Sequence, residues 1–183
     1  MKTIYLILIL GLFTFKNNVY ASDKILDSLK EGKKIIFIRH SLAPGNGDPD
    51  NFNINDCTTQ RNLSKNGVIQ SKKIGFFFEK NKIKIDKVLS SEWCRCKDTA
   101  KFAFESFKTF NPLNSFFSSK FQKNKEKQMI DLSKYLINWK SKKNLILVTH
   151  YVVILETLNK AVSSGEIVVV DKNLNLLGSI SNY

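Results

Sequence analysis

The stretch Lys34-Ile35-Ile36-Phe37-Ile38-Arg39-His40 decides the fold. Its first five residues form a short apolar run rich in β-branched side chains, which predicts a strand buried on both faces. Two more strands are predicted further along the chain, over 83–89 and 145–148, and helical patterns separate the three. Short apolar strands that alternate with helices are typical of a mainly parallel sheet. We therefore predict a three-layer α/β fold, a mainly parallel sheet with helices on both faces.

The remaining elements follow from helical spacing and from turn residues. Helices are predicted at five places: 22–30, 64–80, 95–107, 125–140 and 152–158. Two further strands are predicted over 167–170 and 174–177, and Ser64 is placed to cap the second helix. The polar segment from Ser41 to Asn62 is predicted to be a loop. Loops of this length in compact domains are usually functional or mobile.

Composition and charge restrict the class of protein. The chain has 183 residues, of which 43% are hydrophobic and 25% charged, so it suits one globular domain with a sizeable core. Lys and Arg number 29 against 16 Asp and Glu, a formal charge of +13. Such a balance favours anionic partners, namely phosphate esters, nucleic acid or acidic membrane surfaces. No repeat of solenoid length occurs in the sequence.

The N-terminus resembles a secretory signal. Lys2 precedes an apolar run over 4–15, and small or tolerated residues lead up to Ala21. The run is shorter than the roughly 20 residues that a spanning helix needs. We predict a cleaved signal peptide over 1–21 and one domain over 22–183, with an uncleaved anchor as the alternative. Cleavage would give a periplasmic or secreted protein without a stable membrane span.

Export affects how the three cysteines are interpreted. An oxidising compartment permits a disulfide, and three cysteines allow one pair and leave one thiol. We expect Cys57 to pair with Cys94 or with Cys96. The Cys94-x-Cys96 spacing lacks the further ligands of a zinc site, and histidine is scarce. We predict neither a metal site nor a cofactor.

The scarce cationic residues follow the predicted strands. The chain contains two histidines and three arginines, and all its other basic residues are lysines. Arg39 and His40 follow the first strand, Arg95 comes shortly after the second, and His150 directly follows the third. Taken singly, each of these would more often be structural, but ligands bind at the carboxyl ends of parallel strands. Because the planar fork of arginine binds phosphate through two hydrogen bonds, the joint placement predicts a pocket for a dianion.

Four motifs resemble the histidine phosphatase superfamily, which has the phosphoglycerate mutase-like fold. They are Phe37-Ile38-Arg39-His40-Ser41, the stretch 63–70, the stretch 90–100 and Val148-Thr149-His150. The motifs occur in the family's order, and the resemblance covers roughly Lys33 to Val170. Within the superfamily the chain is most similar to exported bacterial lipopolysaccharide core heptose phosphate phosphatases, through 56–64, 93–95, 113–117 and 164–168.

The resemblance implies phosphoryl transfer through a covalent histidine. His40 would attack phosphorus and carry the phosphoryl group, and water would then hydrolyse the phosphohistidine. Arg39, Arg95 and His150 would bind the phosphate and stabilise charge on its oxygens, and Arg61 would add a contact from the long loop. The implied substrate is a small phosphorylated compound or a phosphorylated glycolipid.

Two positions depart from the family pattern. Ser41 stands where the family has glycine after the nucleophile. Where relatives carry an acidic residue that protonates the leaving group, this chain has Ser118, Ser119 and Lys120, so Glu92 and Glu105 are candidate acids by proximity only. A missing acid slows esters with poor leaving groups most. We therefore predict faster hydrolysis of aryl phosphates than of alkyl sugar phosphates.

Two other classes of function compete with an exported phosphomonoesterase. The missing acid raises the alternative of a degenerate member of the fold, which binds phosphate without turning it over. The many lysines raise a basic module for nucleic acid or anionic lipid, but they are scattered rather than clustered, so we predict no nucleic-acid partner. A mutase is disfavoured, because export would separate the chain from cytosolic glycolytic substrates.

Overall fold

Six strands form one sheet in the structure, a computed structural model that describes residues 16–183 and the side chains from Asp23 onward. The strands are β1 (Ile35–Arg39), β2 (Ile85–Ser90), β3 (Lys108–Thr109), β4 (Asn144–Thr149), β5 (Ile167–Val170) and β6 (Leu176–Ile180). Their order across the sheet is β3-β2-β4-β1-β5-β6. The pairs β3–β2, β2–β4 and β4–β1 are parallel, and the pairs β1–β5 and β5–β6 are antiparallel. The predicted mainly parallel sheet is confirmed.

Helices connect the strands. They are α1 (Lys16–Glu31), α2 (Lys65–Lys80), α3 (Cys94–Phe104), α4 (Ser119–Gln122), α5 (Lys125–Asn138) and α6 (Tyr151–Leu158). The elements α4 and β3 were not predicted, because segments so short show no periodicity. Helix α1 begins at Lys16 rather than at residue 22, so it includes the end of the predicted signal peptide. The apolar run 4–15 of that signal lies outside the described residues.

The alternating side chains of the sheet are buried on both faces. On one face Ile36 and Ile38 of β1 pack in a cluster with apolar residues of α1, α2 and α3. On the other face Ile35 and Phe37 pack in a second cluster with apolar residues of α5 and α6. All four of these β1 side chains are fully buried. The three-layer arrangement with helices on both faces is therefore confirmed.

The register of the central strands brings their carboxyl ends to one edge. Arg39 of β1 lies opposite Thr149 of β4, and Val148 of β4 lies opposite Ser90 of β2. The main-chain amide of His40 donates to the Thr149 carbonyl at 2.9 Å, which continues the β1–β4 pairing past the last strand residue. The residues that follow β1, β2 and β4 therefore start from adjacent points.

The loop after β1 is held against the beginning of α2. Ser64 caps α2 by accepting a hydrogen bond from the amide of Gly67 at 3.1 Å. A Cβ atom on Gly67 would clash with the carbonyl oxygen of Leu42, so only glycine allows this approach.

Over residues 16–183, no helix is long and apolar enough to cross a bilayer.

Candidate active site

A cavity of about 200 Å³ opens at the carboxyl edge of β1 and β4. Its lining brings together all five of the histidines and arginines singled out from the sequence: Arg39, His40, Arg61, Arg95 and His150. The cavity lies below the usual range of ligand pockets, about 300–1,000 Å³, so it suits a small charged group. A larger cavity of about 800 Å³ lies between α2, α3 and β2, and none of these five residues lines it.

His40 has one ring nitrogen fixed and the other available. Nδ1 lies 2.8 Å from the Ser41 carbonyl oxygen, which can only accept, so Nδ1 carries the proton and Nε2 keeps its lone pair. The residue is 3% exposed. Burial, followed by the charges of Arg95, Arg61 and Arg39, holds the pKa of His40 well below 6.5. At neutral pH the ring is therefore uncharged.

Ser41, which directly follows His40, is held in place by hydrogen bonds. Its side chain is fully buried, and its hydroxyl accepts a hydrogen bond from Ser71 Oγ of α2 at 2.8 Å. Its amide donates to Thr99 Oγ1 of α3 at 3.0 Å. The turn that carries His40 is thus attached to two helices. A serine fits here because both of its polar groups have partners.

His150 is buried beside His40, with 5.5 Å between the ring centroids. Its Nε2 lies 2.8 Å from Ser91 Oγ and 3.4 Å from Cys96 Sγ. The Ser91 hydroxyl donates to Asn114 Oδ1 at 3.0 Å, so its lone pairs accept the proton of His150 Nε2. Burial, with Arg95 as the strongest charge, holds the pKa of His150 well below 6.5. Burial also raises the pKa of the Cys96 thiol to about 12, so the thiol stays protonated.

Arg39 and Arg61 are positioned mainly by backbone carbonyls. Arg39 Nη1 donates to the Val162 carbonyl at 2.8 Å, and its guanidinium lies over the Tyr151 ring at 5.5 Å. Arg61 donates through Nε to the Gly47 carbonyl at 2.8 Å and through Nη1 to the Ala43 carbonyl. Since carbonyl oxygens carry no charge, both cations are oriented without being neutralised.

Arg95 is paired with Asp48, a residue that sequence reasoning missed. The two Asp48 oxygens accept from Arg95 Nη1 at 2.7 Å and from Nη2 at 3.2 Å. The same oxygens accept from the Arg61 amide and from Trp93 Nε1, each at 3.1 Å. Burial alone would raise the pKa of Asp48, but the hydrogen bonds and charge of Arg95 outweigh it and leave that pKa lowered. Asp48 is therefore ionised in the free protein.

The site retains unused donors and excess positive charge. Arg39 Nε and Arg95 Nε are buried, and neither has a hydrogen-bond partner within residues 23–183. Among the described residues that line the cavity, three arginines and Lys120 face two carboxylates, those of Asp48 and Asp50. Buried donors of this kind normally have acceptors. The arrangement is suited to binding an oxyanion with several oxygens.

The two acids suggested by proximity are not in this cavity. Glu92 accepts hydrogen bonds from Asn114 at 2.5 Å and from Asn111 at 3.2 Å, and it lines a neighbouring cavity of about 630 Å³. Glu105 is exposed beyond the end of α3 and lines the cavity between α2 and α3. Neither Glu92 nor Glu105 lines the cavity that holds His40, and an acid role for either stays a prediction. The reason is that closeness in sequence to Arg95 does not fix the face on which a side chain emerges.

A disulfide ties the long loop to the helix that carries Arg95. It joins Cys57 to Cys94, with 5.7 Å between the Cα atoms, and leaves Cys96 as a buried free thiol. The expected pairing is thereby resolved in favour of Cys94.

Across the described residues, no group of three His, Cys, Asp or Glu side chains is placed to hold a metal ion.

Solved structures share this fold. The protein histidine phosphatase SixA complexed with tungstate has a TM-score of 0.57 and 15% identity, over 82% of this chain and 94% of its own. Phosphoglycerate mutase from Thermus thermophilus has a TM-score of 0.57 and 14% identity, over 82% and 99%. A mycobacterial glucosyl-3-phosphoglycerate phosphatase has a TM-score of 0.53 and 13% identity, over 75% and 89%.

These neighbours are histidine phosphatase superfamily proteins, and they confirm the predicted phosphoglycerate mutase-like fold. No protein-family model and no curated protein sequence matches the chain. At such identities the likeness establishes the fold alone. The similarity to heptose phosphate phosphatases stays a prediction from sequence.

Loss of the disulfide should lower stability. Replacing Cys57 and Cys94 together by serine releases the loop that the bridge closes, and we expect the free energy of unfolding to fall by about 2–4 kcal/mol. Urea denaturation of oxidised wild type and of the double variant measures the difference. Reductant should destabilise the wild type and leave the variant unchanged. Equal stability of the two proteins would contradict the structural role.

Stability should also decline with mild acid. Since both buried histidines have pKa values well below 6.5, the unfolded chain binds protons that the folded chain does not. The free energy of unfolding is therefore level above pH about 6.5 and falls below it, by at most about 1.4 kcal/mol per pH unit for each histidine. Urea denaturation at pH 7.5, 6.5 and 5.5 tests this, and His150→Asn should reduce the slope. Stability that rises towards pH 5.5 would exclude buried neutral histidines.

Proposed function

We propose that this protein is a phosphatase that hydrolyses a phosphate monoester through a phosphohistidine on His40. The single observation that carries the proposal is the state of His40: a buried, uncharged imidazole with a free Nε2, surrounded by the charges of three arginines. A neutral nucleophile among cations is suited to attacking a dianion. The fold of the neighbouring phosphatase structures supports the same chemistry.

The first step is attack on phosphorus. The phosphoryl oxygens of the substrate would take hydrogen bonds from Arg39 and Arg95, whose Nε atoms are unpartnered within the described residues. His40 Nε2 would then displace the leaving oxygen in line. The guanidinium groups stabilise negative charge as it develops on the phosphoryl oxygens, and carbonyl oxygens orient those of Arg39 and Arg61 before substrate arrives. Their orientation therefore costs little at the moment of reaction.

His150 and Arg61 complete the phosphate site. A bound dianion favours the protonated form of a neighbouring imidazole, so His150 would gain a proton and donate to phosphoryl oxygen. Arg61 is held on the loop by carbonyl oxygens and keeps its full charge for the anion. In the second step, water would attack the phosphohistidine and release inorganic phosphate, which restores neutral His40.

We further propose that the protein is exported and acts in the periplasm or outside the cell. The predicted signal over 1–21 supports export, and the Cys57–Cys94 disulfide suits an oxidising compartment. Ile25 and Leu29, which pack in the core, both follow the predicted cleavage site, so cleavage would keep their contact with the sheet.

The proposed substrate is a small phosphorylated compound or a phosphorylated glycolipid, with a sugar or lipopolysaccharide core phosphate as the leading class. Phe52, Trp93 and Phe121 form an aromatic wall of the cavity, with ring centroids 5.0–5.5 Å apart. Such a wall offers an apolar surface to a sugar ring beside the phosphate site. The sequence similarity to heptose phosphate phosphatases supports the same class.

A phosphate-binding protein without turnover is the second candidate. The observation that favours it is the ion pair between Asp48 and Arg95, because this pair occupies the arginine fork that a substrate phosphate would need. Such a protein would bind oxyanions and release no inorganic phosphate from an ester.

Replacing His40 by alanine should abolish hydrolysis. We expect mature wild type to release phosphate from p-nitrophenyl phosphate, and His40→Ala to lose at least about 10⁴-fold in kcat because no nucleophile remains. Arg95→Lys should lose about 10²–10³-fold, because lysine supplies the charge without the planar fork.

The control is Lys73→Ala on the exposed face of α2, which should retain wild-type activity. A His40→Ala variant that keeps wild-type turnover would refute the covalent route. A wild type that binds orthovanadate but hydrolyses no ester would select the binding protein instead.

A further inference from the structure

Asp48 occupies the fork of Arg95 that is formed by its two terminal nitrogens, a position where the guanidinium could also hold a phosphoryl group. The Asp48 carboxylate spans both terminal nitrogens of the Arg95 guanidinium, which is the geometry that arginine also offers to phosphate. The two side chains are 15% and 4% exposed, respectively. A dianion cannot enter this fork beside an ionised carboxylate without strong repulsion between like charges. Substrate and Asp48 therefore compete for one cation.

Asp48 is also the carboxylate best placed to handle a proton in this cavity. Of the two carboxylates found in the lining within the described residues, Asp50 is exposed, whereas Asp48 is half-buried and held from several sides. The two hydrogen bonds from the Arg61 amide and Trp93 Nε1 do not depend on the Arg95 fork. They can hold the Asp48 carboxyl group at the cavity wall once its contact with Arg95 has been lost.

We propose that Asp48 is the proton donor to the leaving group, and that the incoming phosphoryl group prepares it by displacing its carboxylate from Arg95. This inference rests on the proposed phosphatase function. It assigns the missing acid to the loop between β1 and α2, in place of Glu92. Under this proposal, the ion pair between Asp48 and Arg95 belongs to the substrate-free form of an active enzyme and does not indicate lost activity.

The proton balance closes over the two steps. On substrate binding, Asp48 takes one proton from solvent and becomes a carboxylic acid. When His40 Nε2 bonds to phosphorus, the bond from phosphorus to the leaving oxygen breaks, and the Asp48 proton passes to that oxygen to give the free alcohol. In the second step water attacks phosphorus, Asp48 accepts one water proton, and His40 is released with inorganic phosphate. Asp48 loses that proton as phosphate leaves and Arg95 is recovered.

The charges around Asp48 change in the direction that this cycle needs. The charged and titratable groups that share its cavity are Arg39, His40, Asp50, Arg61, Arg95, Lys120 and His150. In the free protein Arg95 keeps the pKa of Asp48 low. A bound dianion takes up the positive charge of Arg95 and adds negative charge nearby, and both effects raise the Asp48 pKa.

A series of leaving groups tests the proposal. Asp48→Asn keeps the size of the side chain and one acceptor oxygen, for either the Arg61 amide or Trp93 Nε1, but it has no carboxyl proton to give. We expect kcat/KM for glycerol phosphate to fall by about 10²–10⁴-fold relative to that for p-nitrophenyl phosphate, whose leaving group needs no proton. The ratio of the two substrates within one variant cancels any general damage to the site.

Two further variants make this result decisive. Asp131→Asn on α5, where Asp131 pairs with Lys127 outside the cavity, should keep the wild-type ratio. The ratio of kcat/KM for glycerol phosphate to that for p-nitrophenyl phosphate could instead fall in Glu92→Gln and not in Asp48→Asn. That result would overturn the proposal and favour Glu92 as the proton donor. An equal loss on both substrates in Asp48→Asn would reduce Asp48 to a positioning role. If wild type hydrolyses neither ester, the proposed function fails and this inference fails with it.

Anion binding gives a second readout that does not require turnover. Sulfate keeps its charge between pH 5 and 8, so calorimetry in buffers of different ionisation enthalpy reports protons taken up by the protein. Wild type should take up roughly one proton more than Asp48→Asn on binding sulfate. The variant should also bind sulfate at least about tenfold more tightly, because an uncharged amide competes less well than a carboxylate for Arg95. Weaker binding by a folded variant, with equal proton uptake, would contradict displacement of Asp48.

Discussion

The parallel register of three neighbouring strands is the constraint on which the site depends. Because β1, β4 and β2 end at the same edge, the residues that follow them start within hydrogen-bonding reach, as the bond from His40 to the Thr149 carbonyl shows. The apolar side chains that fix this register are buried on both faces of the sheet. A slip of one residue would move the alternating side chains of a strand to opposite faces and would also separate the two histidines.

The second feature of the site is an excess of positive charge over the acidic side chains that line it. Burying cations is costly unless they are paired, yet Arg39 and Arg61 are held by neutral carbonyl oxygens. Asp48 neutralises Arg95, and it does so from a loop that the Cys57–Cys94 bridge attaches to the same helix. The loop therefore supplies the carboxylate that pairs with Arg95, the most buried of the three arginines. A phosphate ester would supply the negative charge that the remaining cations lack.

Sequence patterns predicted the strands and long helices of this protein better than the contacts made by side chains in its loops. Apolar runs and helical spacing located the long elements, and scarcity of arginine and histidine pointed to the residues that line the cavity. Asp48 was missed because it lies between Gly47 and Pro49 in a segment without periodicity, where the partner of a carboxylate depends on the loop's path. Closeness in sequence was also a weak guide for Glu92, since its neighbour Arg95 faces a different cavity.

Trapping the covalent intermediate tests the central claim most directly. Mature protein would be mixed with radiolabelled p-nitrophenyl phosphate, quenched in alkali within milliseconds and digested for mass spectrometry. We expect an acid-labile, alkali-stable phosphoryl group on the peptide that contains His40, attached at Nε2, because Nδ1 is engaged with the Ser41 carbonyl. Label on His150, on a serine, or on no residue during steady turnover would contradict a covalent route through His40.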